Sequence, residues 1–559
     1  MTAEEVELLV ERVRRGVIGE GGVFDGPYGP RRLTYADYTA SGRALDFVED
    51  YVREQVLPFY ANTHTEASLT GSRTGRLREQ ARELIHRSVG GTDEHVVIFC
   101  GSGATAAVHK LVAILGLRLP ETLEDQFGLS AHIPADRRPV VLVGPYEHHS
   151  NELPWRESIA DVVEIAETGE GGIDQDDLRR QLVAYAGRPL IIGSFSAASN
   201  VTGIISDSAG LARILHEHGA LSFWDYAAAG PYLPIRMTGK DAIFLSPHKF
   251  PGGPQTPGVL VVRRDLLTNR VPTGPGGGTV AFVGPDGHRY LDDPVAREEG
   301  GTPAVVESIR AGMVFALKEA VGPAGINARE QRLWERLRRR WQDEPAISVL
   351  GDPRAERLPI VSFRIRPQGR DLHHNFVVAV LNDVFGIQSR GGCSCAGPYG
   401  HRLLGIAADQ SRRFQAEIEA GYEGIKPGWS RFNLNYFFSD RLADYLAEAV
   451  VLIARHGRRL LADYRFDPLT GLWVHAGAKP DEAGLGDFLA PGGLAAARPP
   501  LGEDVLDEQL AHAREIFAAR PEPAEEELAL PASFEALRWF HLPAACLEKR
   551  NGAAPGGDA

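Results

Sequence analysis

The sequence predicts an α/β protein with a mostly parallel central sheet and a smaller C-terminal α/β unit. Three observations carry this. Short apolar runs recur between about 95 and 265: VVIFC (96–100), VVLVGPY (140–146), PLIIGSFS (189–196), ALSFWDY (220–226), AIFLS (242–246) and GVLVV (258–262). Helix-like stretches such as DSAGLARILHEHG (207–219) separate several of them. Residues with chemistry to offer stand directly after the runs. Continuous apolar strands, as opposed to alternating ones, belong to sheets covered on both faces. Ligands of such sheets sit at the carboxyl ends of the strands.

Taken in order, four segments are expected: an N-terminal helical segment (1–34), a large ligand-binding domain (35–305), a small C-terminal domain (306–468) and an extension (469–559). Residues 4–15 carry apolar side chains at helical spacing and predict an amphipathic helix. Residues 270–305, rich in Gly and Pro, read as a long ordered loop, with a helix following near 304–321. In the small domain LPIVSFRIR (358–366) reads as a strand and LHHNFVVAVLNDVFG (372–386) as a helix. Beyond about 470 the composition turns to Ala, Pro, Gly and acids, with nine acidic and two basic residues from Glu503 to Leu530. That composition predicts an extended tail or linker. It ends in an apolar patch, FEALRWFHLP (534–543), suited to docking on the body.

The chain of 559 residues is 43% hydrophobic and 24% charged, which is globular and not disordered or collagenous. A net charge of −14 argues against nucleic-acid or anionic-membrane partners. Four cysteines (Cys100, Cys393, Cys395, Cys546) cannot staple a chain this long and suit a reducing compartment. With no continuous apolar segment at the N-terminus and no long apolar run elsewhere, a cytoplasmic protein without a membrane span is expected.

Five strand tips carry candidate chemistry. Gly101-Ser102-Gly103-Ala104-Thr105 joins a strand to a helix, where free N–H groups can meet an anion. His148 lies in EHHSN after the second run, where an imidazole can stack on a flat ring or move protons. Asn200 follows the third run and Asp225 closes the fourth. Ser246-Pro247-His248-Lys249 follows the fifth, and a desolvated lysine there can form a Schiff base. Each alone has an ordinary structural explanation: a tight turn, a structural histidine, a turn asparagine, a helix cap, a surface lysine. Together, in this order on one sheet, they match the needs of pyridoxal phosphate: donors for its phosphate, a face for its ring, an anion for its pyridine nitrogen and an amine for its aldehyde.

At these residues the chain resembles the class V aminotransferase family, and within it the cysteine desulfurase branch. The resemblance runs from about Tyr35 to Asp440 through YADYTASG (35–42), YANTH (60–64), FCGSGAT (99–105), EHHSNELPW (147–155), SNVTG (199–203), FWDYAA (223–228), SPHK (246–249) and GGTP (300–303). It implies fold type I of the pyridoxal-phosphate transferases, with Lys249 as the Schiff-base lysine and Asp225 as partner of the pyridine nitrogen. His148 is the implied ring-stacking and proton-handling histidine, and Asn200 the neighbour of the phenolic oxygen. Ala104, Thr105, Ser246 and His248 form the implied phosphate cradle. Thr302 is the residue implied to reach the phosphate of a neighbouring subunit, hence a homodimer. Ala228 stands where desulfurases usually carry Gln.

Ser389-Arg390-Gly391-Gly392-Cys393-Ser394-Cys395-Ala396 resembles the mobile loop of desulfurases, with Cys395 at the nucleophile's place. Arg431, in GWSRFNLNY (428–436), resembles the arginine that grips the substrate carboxylate, and Arg390 is placed with it in the substrate site. Ala228, the Cys-x-Cys spacing and the 36-residue separation of Cys395 from Arg431 are similar to the molybdenum-cofactor sulfurase branch. The resemblance implies conversion of L-cysteine to L-alanine, with a persulfide on Cys395 and a sulfur-acceptor protein as partner. The alternative is an aminotransferase, racemase or lyase acting on another amino acid without a catalytic thiol. No metal site is expected, because Cys-x-Cys offers two ligands and no second pair is visible. Cys100 and Cys546 read as structural.

Overall fold

A computed structural model describes residues 1–63, 65–479, 484–489, 498–523 and 530–547. Among these, seven strands form the central sheet in the order His95–Cys100, Gly258–Arg263, Ala242–Leu245, Leu221–Asp225, Ile191–Ser196, Val140–Val143, Asp161–Glu164. Gly258–Arg263 runs antiparallel to both neighbours. The remaining pairings are parallel. The predicted apolar runs thus lie side by side, and every residue of Val140–Val143, Ile191–Ser196 and Ala242–Leu245 is buried. Burial on both faces follows from alternation within one strand. Val97 and Phe99 enter the larger core, while Val96, Ile98 and Cys100 enter the core beneath the helix Gly103–Ile114. Each fully buried side chain of this kind contributes about 1.5–3 kcal/mol.

The parallel arrangement delivers Cys100, Val143, Ser196, Asp225 and Leu245 to one edge of the sheet, and the turns that follow them build the site. A second, antiparallel sheet of four strands lies C-terminal: Ile347–Val349, Ile360–Ile365, Trp429–Asn433, Arg390–Gly392. Its register sets Arg390 directly opposite Arg431. The helix His374–Phe385 packs against it and buries Phe376, Val377, Val380 and Leu381 in the larger core. The N-terminal helix Ala3–Gly16 begins at a capping box between Thr2 and Glu5 and buries Val10 and Val13 in the larger core. No helix among the described residues is long and apolar enough to cross a membrane.

Two expectations need correction. The 270–305 segment is not loop throughout. Val280–Gly284 and Gly287–Tyr290 pair as an antiparallel hairpin across Pro285-Asp286, and Pro294–Glu298 is a short helix capped by Asp293. The glycine count masked a turn dipeptide flanked by strand formers. Nor is the chain beyond 470 an extended tail where it is described. Leu506–Ala518 is a helix that buries Leu506, Leu510, Ala513, Ile516 and Phe517 on one face. Three of the acids, Asp507, Glu508 and Glu515, stand exposed on this helix away from its buried face, and Asp507 pairs with Arg441 at 2.6 Å. The apolar patch at 534–543 docks, burying Phe534, Leu537, Phe540 and Leu542. Residues 480–483, 490–497, 524–529 and 548–559 of the extension lie outside the described residues.

Candidate active site

The turns after the central strands enclose a cavity of about 770 Å³ with the Cys395 loop and Arg431. Ala104, Thr105, His148, Asn200, Asp225, Ser246, His248, Lys249, Arg390, Cys395 and Arg431 all line it. Thr302 does not. It is exposed outside the cavity, where its hydroxyl accepts a hydrogen bond from Asn62 Nδ2 at 3.2 Å.

Each wall has a local cause. The turn Gly101–Gly103 reverses the chain into a helix, with Gly103 at φ +56°. A Cβ there would lie 2.8 Å from His248 Cε1 and 3.0 Å from Ser246 Oγ, so only glycine lets the two turns meet. Ser246 Oγ accepts the Ala104 N–H at 2.8 Å, which ties them together. The result is a small concavity at a helix N-terminus, lined by hydroxyls and an imidazole.

His148 is fixed by its neighbour. Nδ1 accepts the Ser150 N–H at 3.1 Å, so the neutral ring carries its proton on Nε2. Burial, with Lys249 and the nearby cations adding to it, pushes its pKa down to about 3. The ring is therefore neutral at physiological pH. Asp225 is buried, and its Oδ1 accepts the Ala227 N–H at 2.7 Å. Burial raises its pKa, opposed by that bond and by Lys249. Burial in turn pushes Lys249 down to about 8, against the pull of Asp225. His248 falls to about 4, through burial and then Lys249.

The opposite wall is cationic. Arg431 is buried, giving Nη1 to the Asn200 carbonyl at 2.9 Å and Nη2 to Asp37 Oδ1 at 3.3 Å. Its Nε has no partner among the described residues. Arg390, across the strand pair, gives Nε to Asp37 Oδ2 at 3.0 Å. Two like charges facing each other across a sheet repel, and Asp37 bridges them.

The loop bearing the thiol is a tight turn. Ser394 and Cys395 have φ of +53° and +56°, and the Ala396 N–H reaches the Cys393 carbonyl at 3.2 Å. Three bonds anchor it. Asn200 Nδ2 donates to the Ser394 carbonyl at 2.8 Å, the His149 N–H to the Cys395 carbonyl at 2.9 Å, and the Gly397 N–H to His149 Nε2 at 3.1 Å. Cys393 and Cys395 are both exposed, and of these two Cys395 alone lines the cavity. Cys100 and Cys546 are buried, with thiols pushed up to about 12 by burial.

Three residues that sequence reasoning passed over belong here: Asp37, His149 and Glu147. Glu147 is buried and accepts from Ser196 N (2.9 Å), Ser196 Oγ (2.6 Å) and Asn151 Nδ2 (2.7 Å). It ties the His148 turn to the strand beside Asp225, and burial raises its pKa to about 7. Its signal was the one that singled out Asp225, a carboxylate placed just after an apolar strand. A larger cleft, about 980 Å³, lies along the helix Leu69–Ser88. Its buried carboxylate, Glu299, is already paired with Arg78 and Arg82.

The family model for class-V aminotransferases matches residues 34–408. The chain belongs to this family. Class-V aminotransferases are pyridoxal-phosphate enzymes, and the mostly parallel sheet is the expected fold type I. Relatives of this class-V chain include a probable cysteine desulfurase of Staphylococcus epidermidis, 27% identical over 411 residues, covering 72% of this chain and 92% of the relative. Another, from Halalkalibacterium halodurans, is 28% identical and covers 66% and 84%. Among solved structures, a cysteine desulfurase of Thermococcus onnurineus superposes with a TM-score of 0.62 at 23% identity, covering 76% of this chain and 95% of that one. One from Escherichia coli gives 0.58 at 21% identity, covering 74% and 93%. These structures share the fold of this class-V chain.

Proposed function

We propose that this enzyme is a cysteine desulfurase that uses pyridoxal phosphate, takes the sulfur of L-cysteine onto Cys395 and releases L-alanine. The observation that carries the reading is one cavity holding an exposed thiol, a paired guanidinium wall and a desolvated lysine beside a buried carboxylate. The names of the curated relatives support it.

The donor set fits the cofactor. The hydroxyls, N–H groups and imidazole around Ala104, Thr105, Ser246 and His248 suit its phosphate. Asp225 suits the pyridine nitrogen, the His148 ring the ring face, Asn200 the phenolic oxygen and Lys249 the aldehyde. Thr302 serves the cradle of a second copy in a homodimer, in keeping with its exposure outside its own cavity. When bound, pyridoxal phosphate supplies an electron sink for the substrate carbon.

The chain's own residues do the rest. Arg431 holds the substrate carboxylate with Arg390 beside it, because a guanidinium meets a carboxylate through parallel hydrogen bonds. Asp37 keeps both guanidiniums aimed. Neutral His148 handles a proton at Nε2. Lys249, its pKa pushed down to about 8 by burial, takes and returns protons. The Cys395 thiolate attacks the substrate sulfur, the carbon–sulfur bond breaks, and a persulfide stays on Cys395. L-cysteine plus a thiol thereby becomes L-alanine plus a persulfide.

The test is direct. Holoenzyme given L-cysteine forms alanine, and mass spectrometry finds one added sulfur atom on the peptide bearing Cys395. A keto acid or a racemised product without alanine would assign the chain to a thiol-independent reaction. Arg431→Lys raises KM for L-cysteine by about tenfold or more, with a smaller loss in kcat, since lysine cannot make the paired contact. Steady-state alanine release checks this, and an unchanged KM would put the carboxylate elsewhere.

A further inference from the structure

The family match ends at residue 408, yet a segment more than a hundred residues later bears on the cavity wall. Residues 539–541 lie along 371–374. Phe540 bridges Asp371 in parallel, and the His541 N–H donates to the Asp371 carbonyl at 2.8 Å. The Trp539 ring stacks on His374, with centroids 5.8 Å apart and planes 8° apart. It also lies 5.4 Å from the His373 ring, and His373 stacks on His374 at 4.2 Å. Trp539 Nε1 donates to the Ile425 carbonyl at 3.0 Å, in the turn just before the strand of Arg431.

The edge of His374 meets the site strands. A Cβ on Gly391 would stand 3.0 Å from His374 Cδ2, and one on Gly428 would stand 2.9 Å from His374 Cε1. Gly391 is in the strand that leads into the Cys395 turn. Gly428 precedes the strand that carries Arg431. His374 is buried, and its Nδ1 has no hydrogen-bond partner among the described residues. Packing therefore sets this ring, and the rings of His373 and Trp539, which also stack on each other, supply it together.

We propose that Trp539, acting through His374, is a positioning residue for the Cys395 turn and Arg431, so that the C-terminal segment is part of the reaction apparatus of this chain. The proposal rests on the desulfurase reading for its consequence in catalysis, but not for its geometry. A displacement of about 1 Å at a reacting group costs up to ~100-fold in rate.

The experiment compares holoenzyme of the full chain as wild type, Trp539→Ala and Trp539→Phe. The readouts are the alkylation rate of Cys395 by iodoacetamide, resolved from Cys393 by peptide mass spectrometry, alanine formation, and the visible absorbance of the bound cofactor. In Trp539→Ala we expect Cys395 alkylation to change about fivefold or more and kcat to fall about tenfold or more, with the absorbance unchanged. Trp539→Phe, which keeps a stacking ring, restores most of both. A folded Trp539→Ala with wild-type alkylation and turnover overturns the proposal. If that variant does not fold, Trp539→Leu, which fills the space without stacking, is read by the same criterion. Failure of both to fold makes the segment purely structural, which also overturns it. Alkylation needs no turnover, so a wild type that makes no alanine defeats the desulfurase reading and leaves this comparison standing.

Discussion

Cys395→Ala eliminates alanine release and loop persulfide from L-cysteine while leaving the bound cofactor's visible spectrum in place. The separation follows from the architecture. The residues suited to the cofactor stand on turns after the central strands, whereas Cys395 belongs to a turn joined to the second sheet and is held by Asn200 and His149. Removing a side chain exposed to solvent leaves no cavity in the core, so stability changes little. The Cys393→Ala variant is the internal control, since that thiol lies outside the cavity wall. Alanine formation that survives Cys395→Ala would show sulfur leaving without this thiol.

Lys249→Ala has the second large effect. Borohydride treatment of the wild-type holoenzyme fixes a phosphopyridoxyl group on Lys249. The variant gains none, and its turnover falls by about 1,000-fold or more, as expected for loss of both a nucleophile and a proton carrier. The lysine also predicts a pH signature. Its pKa near 8 lies below the ordinary ~10.4 of a free lysine. Between these values the unfolded chain binds more protons than the folded one, so cofactor-free protein becomes more stable as pH rises from about 8 to about 10.4. Below about 8 both states are protonated, and the cost of burying the charge is present in full. Lys249→Met removes this part of the slope, which thermal unfolding of the cofactor-free forms across that range measures. Equal slopes would mean that burial does not perturb the amine.

Much of this was legible in the residue order. The central strands announce themselves because both faces are buried, so the apolar runs are unbroken, as in AIFL before Ser246. The candidate residues were legible because a parallel sheet brings strand tips to one edge. What escaped was set by distance along the chain. Asp37 bridges Arg390 and Arg431 from more than 350 residues away, and nothing in YADYTASG signals two guanidiniums. The helix Leu506–Ala518 escaped for a different reason. Its buried stripe has helical spacing, but an acidic, alanine-rich average hides five apolar contacts. Trp539 was visible as part of an apolar patch, while its stack on His374 depends on a tertiary meeting that no local pattern encodes.

Neither Ser394 nor Cys395 is a glycine, yet both adopt the left-handed backbone that glycine favours, at about 1 kcal/mol or more apiece. The three anchors from Asn200 and His149 hold a conformation that the peptide itself resists. The turn therefore leans on partners outside itself: Asn200→Ala, which removes one of those three bonds, leaves the strain of two left-handed residues less well offset and loosens the backbone that carries the thiol.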